Sequence, residues 1–499
     1  MLIIYLFSSA LIFLYSLVLG LGLTKLIKKD FFYFPILFSI LLGGLSFVLW
    51  ITKLQIWYIY LIPFLILLYP FYQKIKEIKK GEKELLIIFG LQFLFYVILQ
   101  LFIYLYPMGR NWTDYYNFSL DIAESGFNFK GERTPLFSLI EGAFLTIFGK
   151  SFYIAQITSA LAGALTIFPF YLLSKKFIKP KFIYISLLFL IFNPFVIENS
   201  LYNWAKMQTT MFVLYFIVFI LEKRYIDSYV SSLSGFLSHA LSLFFVLPAY
   251  VWYGIKYRWK ATKIVIIFLL SVLLIILIKT YTGYKDYFIF YPFAVNGYET
   301  VIGKGFGEVW AQFISKPIYY HFFVRIVNLL NTVLPVIPVV KLVNYFVNLP
   351  IIQLHKIINL TNLPLVYYYF HSIPGALTSG VYIFFVIWII KNFKTEFSIL
   401  FVIVPILLAA SFFGWIKAGV TRDMLQPIIP IGIILGVSEM SKHPKKISYI
   451  VFSIMILELI IFFVLYNNYM NTTVEYLKSI GDNQTLSIET INKLVFNRG

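Results

Sequence analysis

Four stretches of this chain carry ionisable side chains where such groups are costly. The first runs Gly109-Arg-Asn-Trp-Thr-Asp-Tyr-Tyr-Asn-Phe-Ser-Leu-Asp-Ile-Ala-Glu-Ser-Gly126, directly after a long apolar run. Charge beside hydrocarbon is expensive and usually functional. A carboxylate at Asp114 has the chemistry of a general base. A helix starting near Thr113 puts Tyr115, Phe118 and Ile122 on one face and Asp114 at its N-terminus. Thr-Asp also suits a plain helix cap. The second stretch contains Glu198, Tyr202, Trp204 and Lys206, and Lys206 opens an apolar run. That lysine suits either a phosphate ligand or, with Tyr202 and Trp204, an interfacial anchor. The third is His239 in Gly235-Phe-Leu-Ser-His-Ala-Leu-Ser, either a structural histidine or a polar group in apolar surroundings. The fourth holds Lys417 and Arg422 in Gly414-Trp-Ile-Lys-Ala-Gly-Val-Thr-Arg-Asp-Met-Leu-Gln-Pro427. Arginine grips phosphate through two parallel hydrogen bonds, but it also snorkels to an interface.

Other chemistries find no support. The chain has no cysteine, which removes disulfides, thiolate metal sites and cysteine nucleophiles. Gly303-Lys-Gly-Phe-Gly307 lacks the Ser or Thr that a phosphate-binding loop needs after its lysine. The five histidines show no paired metal-ligand spacing, and no Gly-x-Ser-x-Gly elbow occurs.

The elements that must position these groups are apolar helices. Of 499 residues, 60% are hydrophobic and 13% charged, against about 25% charged in soluble domains. The runs predict an all-α, polytopic transmembrane bundle of about fourteen spans. These are 3–24, 31–52, 56–72, 85–107, 153–174, 182–197, 207–222, 228–238, 241–255, 263–280, 373–390, 396–413, 424–440 and 447–466. The first is read as a retained span because neither a basic lead nor a small-residue cleavage site frames it. Net charge is +19. The lysines and arginines cluster in alternate short loops, such as Lys25-Lys28-Lys29 and Lys175-Lys176-Lys179-Lys181. By the positive-inside rule those loops are cytoplasmic, so the charge reports orientation, with no nucleic-acid partner. The rule makes 228–255 a hairpin, keeping Lys223 and Lys256 on one side. The five Asn-x-Ser/Thr sequons, at Asn111, Asn117, Asn359, Asn471 and Asn483, then all lie outside.

The organisation that follows is a three-span extension over 1–84 and a core over 85–280 with a first outer loop at 108–152. A large outer loop covers 281–372, C-terminal spans 373–466, and an extracytoplasmic tail 467–499. The aromatic pieces Tyr319–Val340 and Val343–Ile358 read as amphipathic helices on the membrane surface or over a cavity.

Taken in order, these features resemble the GT-C superfamily of membrane glycosyltransferases, in its protein-mannosyltransferase and aminoarabinose-transferase-like branch. The resemblance rests on Asp114-Tyr-Tyr after a span, on Thr134-Pro-Leu-Phe-Ser-Leu, and on the run Thr146-Ile-Phe-Gly-Lys to Thr166. It rests also on Asn193-Pro-Phe-Val-Ile-Glu-Asn-Ser-Leu-Tyr202, on the Gly235–His239 turn, and on Thr421-Arg422 before an apolar run with two prolines. It covers residues 85–260 and, more loosely, 410–440. It implies a sugar donor carried on a polyprenyl phosphate, an acceptor hydroxyl on a protein or glycan, and inversion at the anomeric carbon. The site would lie on the extracytoplasmic face of a multi-pass cell-membrane protein. Asp114 would be the base. Lys206, Arg422 and His239 would bind the donor phosphate, with Tyr115, Glu198, Tyr202 and Lys417 as further candidates. No cofactor is fixed. Tyr115 stands where many relatives carry a second acid, and Lys206 or a neighbour takes the second-loop acidic position, which weakens the case for a divalent metal. Three spans also precede the segment that resembles the family's first. The competing reading is a transporter or lipid-linked-sugar flippase with the same cations along its path.

Overall fold

A computed structural model describes residues 2–102, 111–124, 134–257, 259–281, 291–295, 305–334, 372–417 and 419–479; at some helix ends, 111–114 and 465–479 among them, it describes the backbone alone. The described residues are helical and contain no strand. The chain divides into two compact units: residues 1–173 with 196–240 and 470–499, and residues 174–195 with 241–469.

In the first unit the helices are α1 (Leu2–Leu26), α2 (Phe34–Ile51), α3 (Trp57–Glu77), α4 (Lys80–Phe102), α5 (Asn111–Ala123), α6 (Pro135–Phe148) and α7 (Phe152–Leu165). After a break at Thr166 come α8 (Ile167–Phe177) and α9 (Pro180–Ile191), which lead into the second unit. The chain then returns with α10 (Pro194–Leu201), α11 (Lys206–Leu221) and α12 (Tyr225–Ser238). The core is aromatic. Phe168 meets the rings of Phe34 at 4.6 Å and Phe89 at 5.2 Å. Tyr15 donates to the Tyr60 carbonyl at 2.8 Å, tying α1 to α3. Outward-facing positions are apolar too, as at Ile62, Leu65, Ile66 and Tyr69 of α3. Apolar residues all round a helix suit lipid or a buried place, not water.

The second unit holds α13 (Leu243–Tyr257), α14 (Trp259–Tyr281), α15 (Phe306–Ile314) and α16 (Ile318–Val333). Further helices follow at Ser379–Asn392, Val404–Phe412, Ile428–Met440 and Lys445–Ser479. A fully buried acid near a helix end, Glu439, is paired with Lys391 and Lys442. Glu458 accepts the Ser379 backbone N–H at 3.1 Å, satisfying a donor at the first turn of that helix.

Six described helices are long and apolar enough to cross a membrane, or up to seven if Pro180–Ile191 and Pro194–Leu201 form one broken span. Shorter apolar helices of 10–17 residues lie at most of the other positions expected as spans. At 1.5 Å per residue a helix like α11 is roughly 24 Å long, below the roughly 30 Å of a hydrocarbon core.

The structure adds detail within three of the expected segments. The stretch expected as the first outer loop contains α6, a helix buried almost throughout. Pro135 at its first turn and the apolar run Leu136–Phe148 make it helical, and Gly149 at φ 107 ends it. The expected C-terminal tail begins as a continuation of the last helix to Ser479. Of the two expected surface helices, one is found as α16, and Val343–Ile358 lies outside the described residues.

Candidate functional site

In the first unit the sequence-selected segments converge on the start of α6. Helix α5 forms over Asn111–Ala123, and Tyr115, Phe118 and Ile122 are all buried along one face, as their spacing predicts. Asp114 falls in the first turn of that helix; its side chain lies outside the described residues. Its neighbour Tyr115 packs edge-on against Phe137 of α6, with ring centres 5.6 Å apart. Thr134, just before α6, donates through Oγ1 to the Ser238 carbonyl at 2.6 Å. Ser238 in turn donates through Oγ to Oε1 of Gln208 at 3.2 Å. Ser238 precedes His239, and Gln208 is the third residue of α11, which Lys206 opens. The Asp114, Thr134-Pro-Leu, Lys206 and His239 segments are therefore neighbours, although 125 positions separate the outermost two in sequence. His239 itself is half-buried, on extended backbone that ends α12.

Lys206 is only 7% exposed. Its Nζ lies 3.6 Å from the centre of the Trp204 ring, which stacks on Tyr202 at 4.9 Å. An aromatic face is a favourable seat for an ammonium group shielded from water. Residues Tyr202–Ala205 are not helical, so α10 and α11 are separate helices and Lys206 stands at the mouth of the second. Free backbone N–H groups and the helix dipole at such a position favour an anion. Glu198, on α10, is also buried.

This break is held from two sides. On α7, Ser159 donates to Oδ1 of Asn203 at 3.3 Å. One turn on, Gly163 faces Ser200 so closely that an added Cβ would lie 2.1 Å from its Oγ. Just past α7, Thr166 donates to the Met207 carbonyl at 3.4 Å. On α6, Oε1 of Glu141 accepts from Nδ2 of Asn203 at 3.2 Å, and Glu141 is fully buried. Asn203 thus presents its amide oxygen to one helix and its amide nitrogen to the other. A void of about 10 Å³, lined by Ser39, Phe137, Thr158 and Gln208 among others, has room for about one water.

In the second unit the chain leaves the helix Val404–Phe412, and the described residues between Phe413 and Val420 make no regular structure before the short turn Thr421–Met424. Arg422 in that turn is 5% exposed. Lys417 forms an ion pair with Asp423 and lies 4.6 Å from the centre of the Phe413 ring. Gly414 is required here: its N–H donates to the Tyr291 carbonyl at 3.0 Å, and a Cβ would meet the Ala294 carbonyl oxygen at 2.1 Å.

Sequence reasoning passed over Glu141 and Asn203. Glu141 had a signal, being the one charged residue in the apolar run Pro135–Phe148. Asn203 had none, since nothing local reveals what an asparagine will bond. Among the described residues no group of three or more His, Asp or Glu side chains is placed to hold a metal ion. Comparison with known proteins finds no matching family model, no similar curated protein and no similar solved structure.

Proposed function

We propose that the chain is an integral membrane glycosyltransferase that moves a sugar from a polyprenyl-phosphate-linked donor to an acceptor hydroxyl on the outer face of the cell membrane, within a GT-C-like fold. The observation that carries this reading is the meeting of the Asp114, Thr134, Lys206 and His239 segments in one unit. Three of them, Asp114-Tyr-Tyr, Thr134-Pro-Leu and the Gly235–His239 turn, are among the pieces on which the sequence resemblance rests, and the contact between them supports a shared task.

In this reading Asp114, as carboxylate, accepts the proton of the acceptor hydroxyl. The hydroxyl oxygen forms the new bond to the anomeric carbon from the face opposite the donor phosphate. The bond from that carbon to the phosphate oxygen breaks, and its electron pair leaves with the lipid phosphate. That leaving group is a stable anion. It needs nearby positive charge more than a proton, which is the role of Lys206 and His239. Arg422 is proposed as a further phosphate-binding cation on sequence grounds.

Purified protein in detergent, given a labelled lipid-phosphate sugar and an acceptor hydroxyl, should form the transfer product. Asp114→Asn should abolish transfer while leaving the protein folded. Transfer at the unmodified rate by that variant removes Asp114 from the mechanism. Lipid-linked sugar that crosses only sealed bilayers, with no transfer in detergent, would instead establish the flippase reading.

A further inference from the structure

Helix α16 is amphipathic in an unusual sense. Its outward residues are apolar: Ile318, Tyr319, Phe322, Phe323, Ile326 and Leu330. Its polar residues Asn328, Asn331 and Thr332 are fully buried. A buried amide is costly unless bonded, so the question is what these three hold.

They hold one segment of main chain. Nδ2 of Asn328 donates to the Phe413 carbonyl at 3.3 Å and to the Trp415 carbonyl at 3.0 Å. Its Oδ1 accepts the Lys417 N–H at 2.7 Å. Nδ2 of Asn331 donates to the Lys417 carbonyl at 2.8 Å. Oγ1 of Thr332 accepts the Val420 N–H at 3.3 Å. The bonded groups span Phe413 to Val420, and Arg422 lies two residues beyond. The described residues of this segment have no regular structure, so they have few other ways to satisfy their backbone polar groups.

We propose that Asn328, with Asn331 and Thr332, is a positioning residue: α16 sets the path of residues 413–420 and thereby the place of Arg422. The importance of this for donor binding rests on reading Arg422 as a phosphate-binding cation; the positioning itself does not. Helix α16 enters the chemistry only through the backbone it holds.

The test uses the full chain in lipid nanodiscs. Because the protein has no cysteine, Thr421→Cys gives a single reporter next to Arg422. Thr421 is buried and its hydroxyl lacks a hydrogen-bond partner among the described residues, so the exchange disturbs little. The rate of thiol alkylation reports whether the segment stays closed. On this reporter background Asn328→Ala should speed alkylation about tenfold, as expected for loss of buried hydrogen bonds. Asn328→Leu, which fills similar space without bonding, should speed it as much. Thr332→Val, a near-isosteric change that removes one bond, should raise the rate about threefold and serves if the Asn328 variants do not fold.

Alkylation of the Asn328→Leu chain as slow as that of its Asn328 parent would reduce the role to packing and overturn the proposal. So would an unchanged rate in the Thr332→Val chain. A second readout, the donor KM, should rise in Asn328→Leu with kcat nearly unchanged. If no variant and no unmodified chain transfers sugar, the glycosyltransferase reading fails and the alkylation result still decides the positioning.

Discussion

Two irregular segments, one in each unit, lead into buried cations, and they are held by different means. The turn Tyr202–Ala205 before Lys206 is fixed through side chains: Glu141 and Ser159 grip the Asn203 amide, and Gly163 makes room for Ser200. The segment Phe413–Val420 before Arg422 is fixed through its backbone, by three polar residues of one helix. The first arrangement depends on residue identity on both sides of each contact. The second depends on identity in α16 and at Gly414, and constrains much less which side chains the held segment carries.

The largest effect that sharpens this contrast is expected at Gly163. Gly163→Ala should destabilise the protein by about 3 kcal/mol, because the new methyl group overlaps both the side chain and the Cα of Ser200. Ser200→Gly in the same chain should recover most of that loss in thermal unfolding. A melting temperature unmoved by Gly163→Ala would show that α7 and α10 are not closely docked. Next comes Glu141→Ala, with a cost of about 2 kcal/mol from leaving the Asn203 amide without its acceptor. Glu141→Gln keeps that acceptor and should cost under half as much. Equal losses in the two variants would mean that the contact is not a specific hydrogen bond. The smallest effect should come from Lys417→Ala. Its ion pair with Asp423 is partly open to solvent and should contribute about 0.5 kcal/mol. A loss several times larger would mean that side chains, not backbone bonds, hold the second segment too.

Much of this arrangement is legible in the sequence where a helix is regular. The spacing of Tyr115, Phe118 and Ile122 correctly gives the buried face of α5, and Lys206 marks the first residue of α11. Apolar runs give the helical class for the same reason: backbone groups without water must bond within their own segment. The sequence is less informative where an element's environment inverts the usual pattern. Helix α6 reads as part of a loop because its run is short, yet packing buries it. Helix α16 reads as amphipathic, but only coordinates reveal that its polar side faces protein. The Asn203 and Asn328 contacts bring together residues 62 and 85–89 positions apart. No local pattern encodes a pairing at that range.

The separation between α16 and the segment it grips has a consequence for synthesis. When the ribosome has just completed α16, the main-chain partners of Asn328 do not yet exist. At about 5–20 residues per second, roughly 4–17 s pass before they are made. Throughout that interval two amides and a hydroxyl must be hydrated, or shielded by a chaperone, at the edge of a nascent apolar protein. A ribosome stalled before Phe413 would leave them in that state, a ready mark by which quality-control machinery could recognise an unfinished chain.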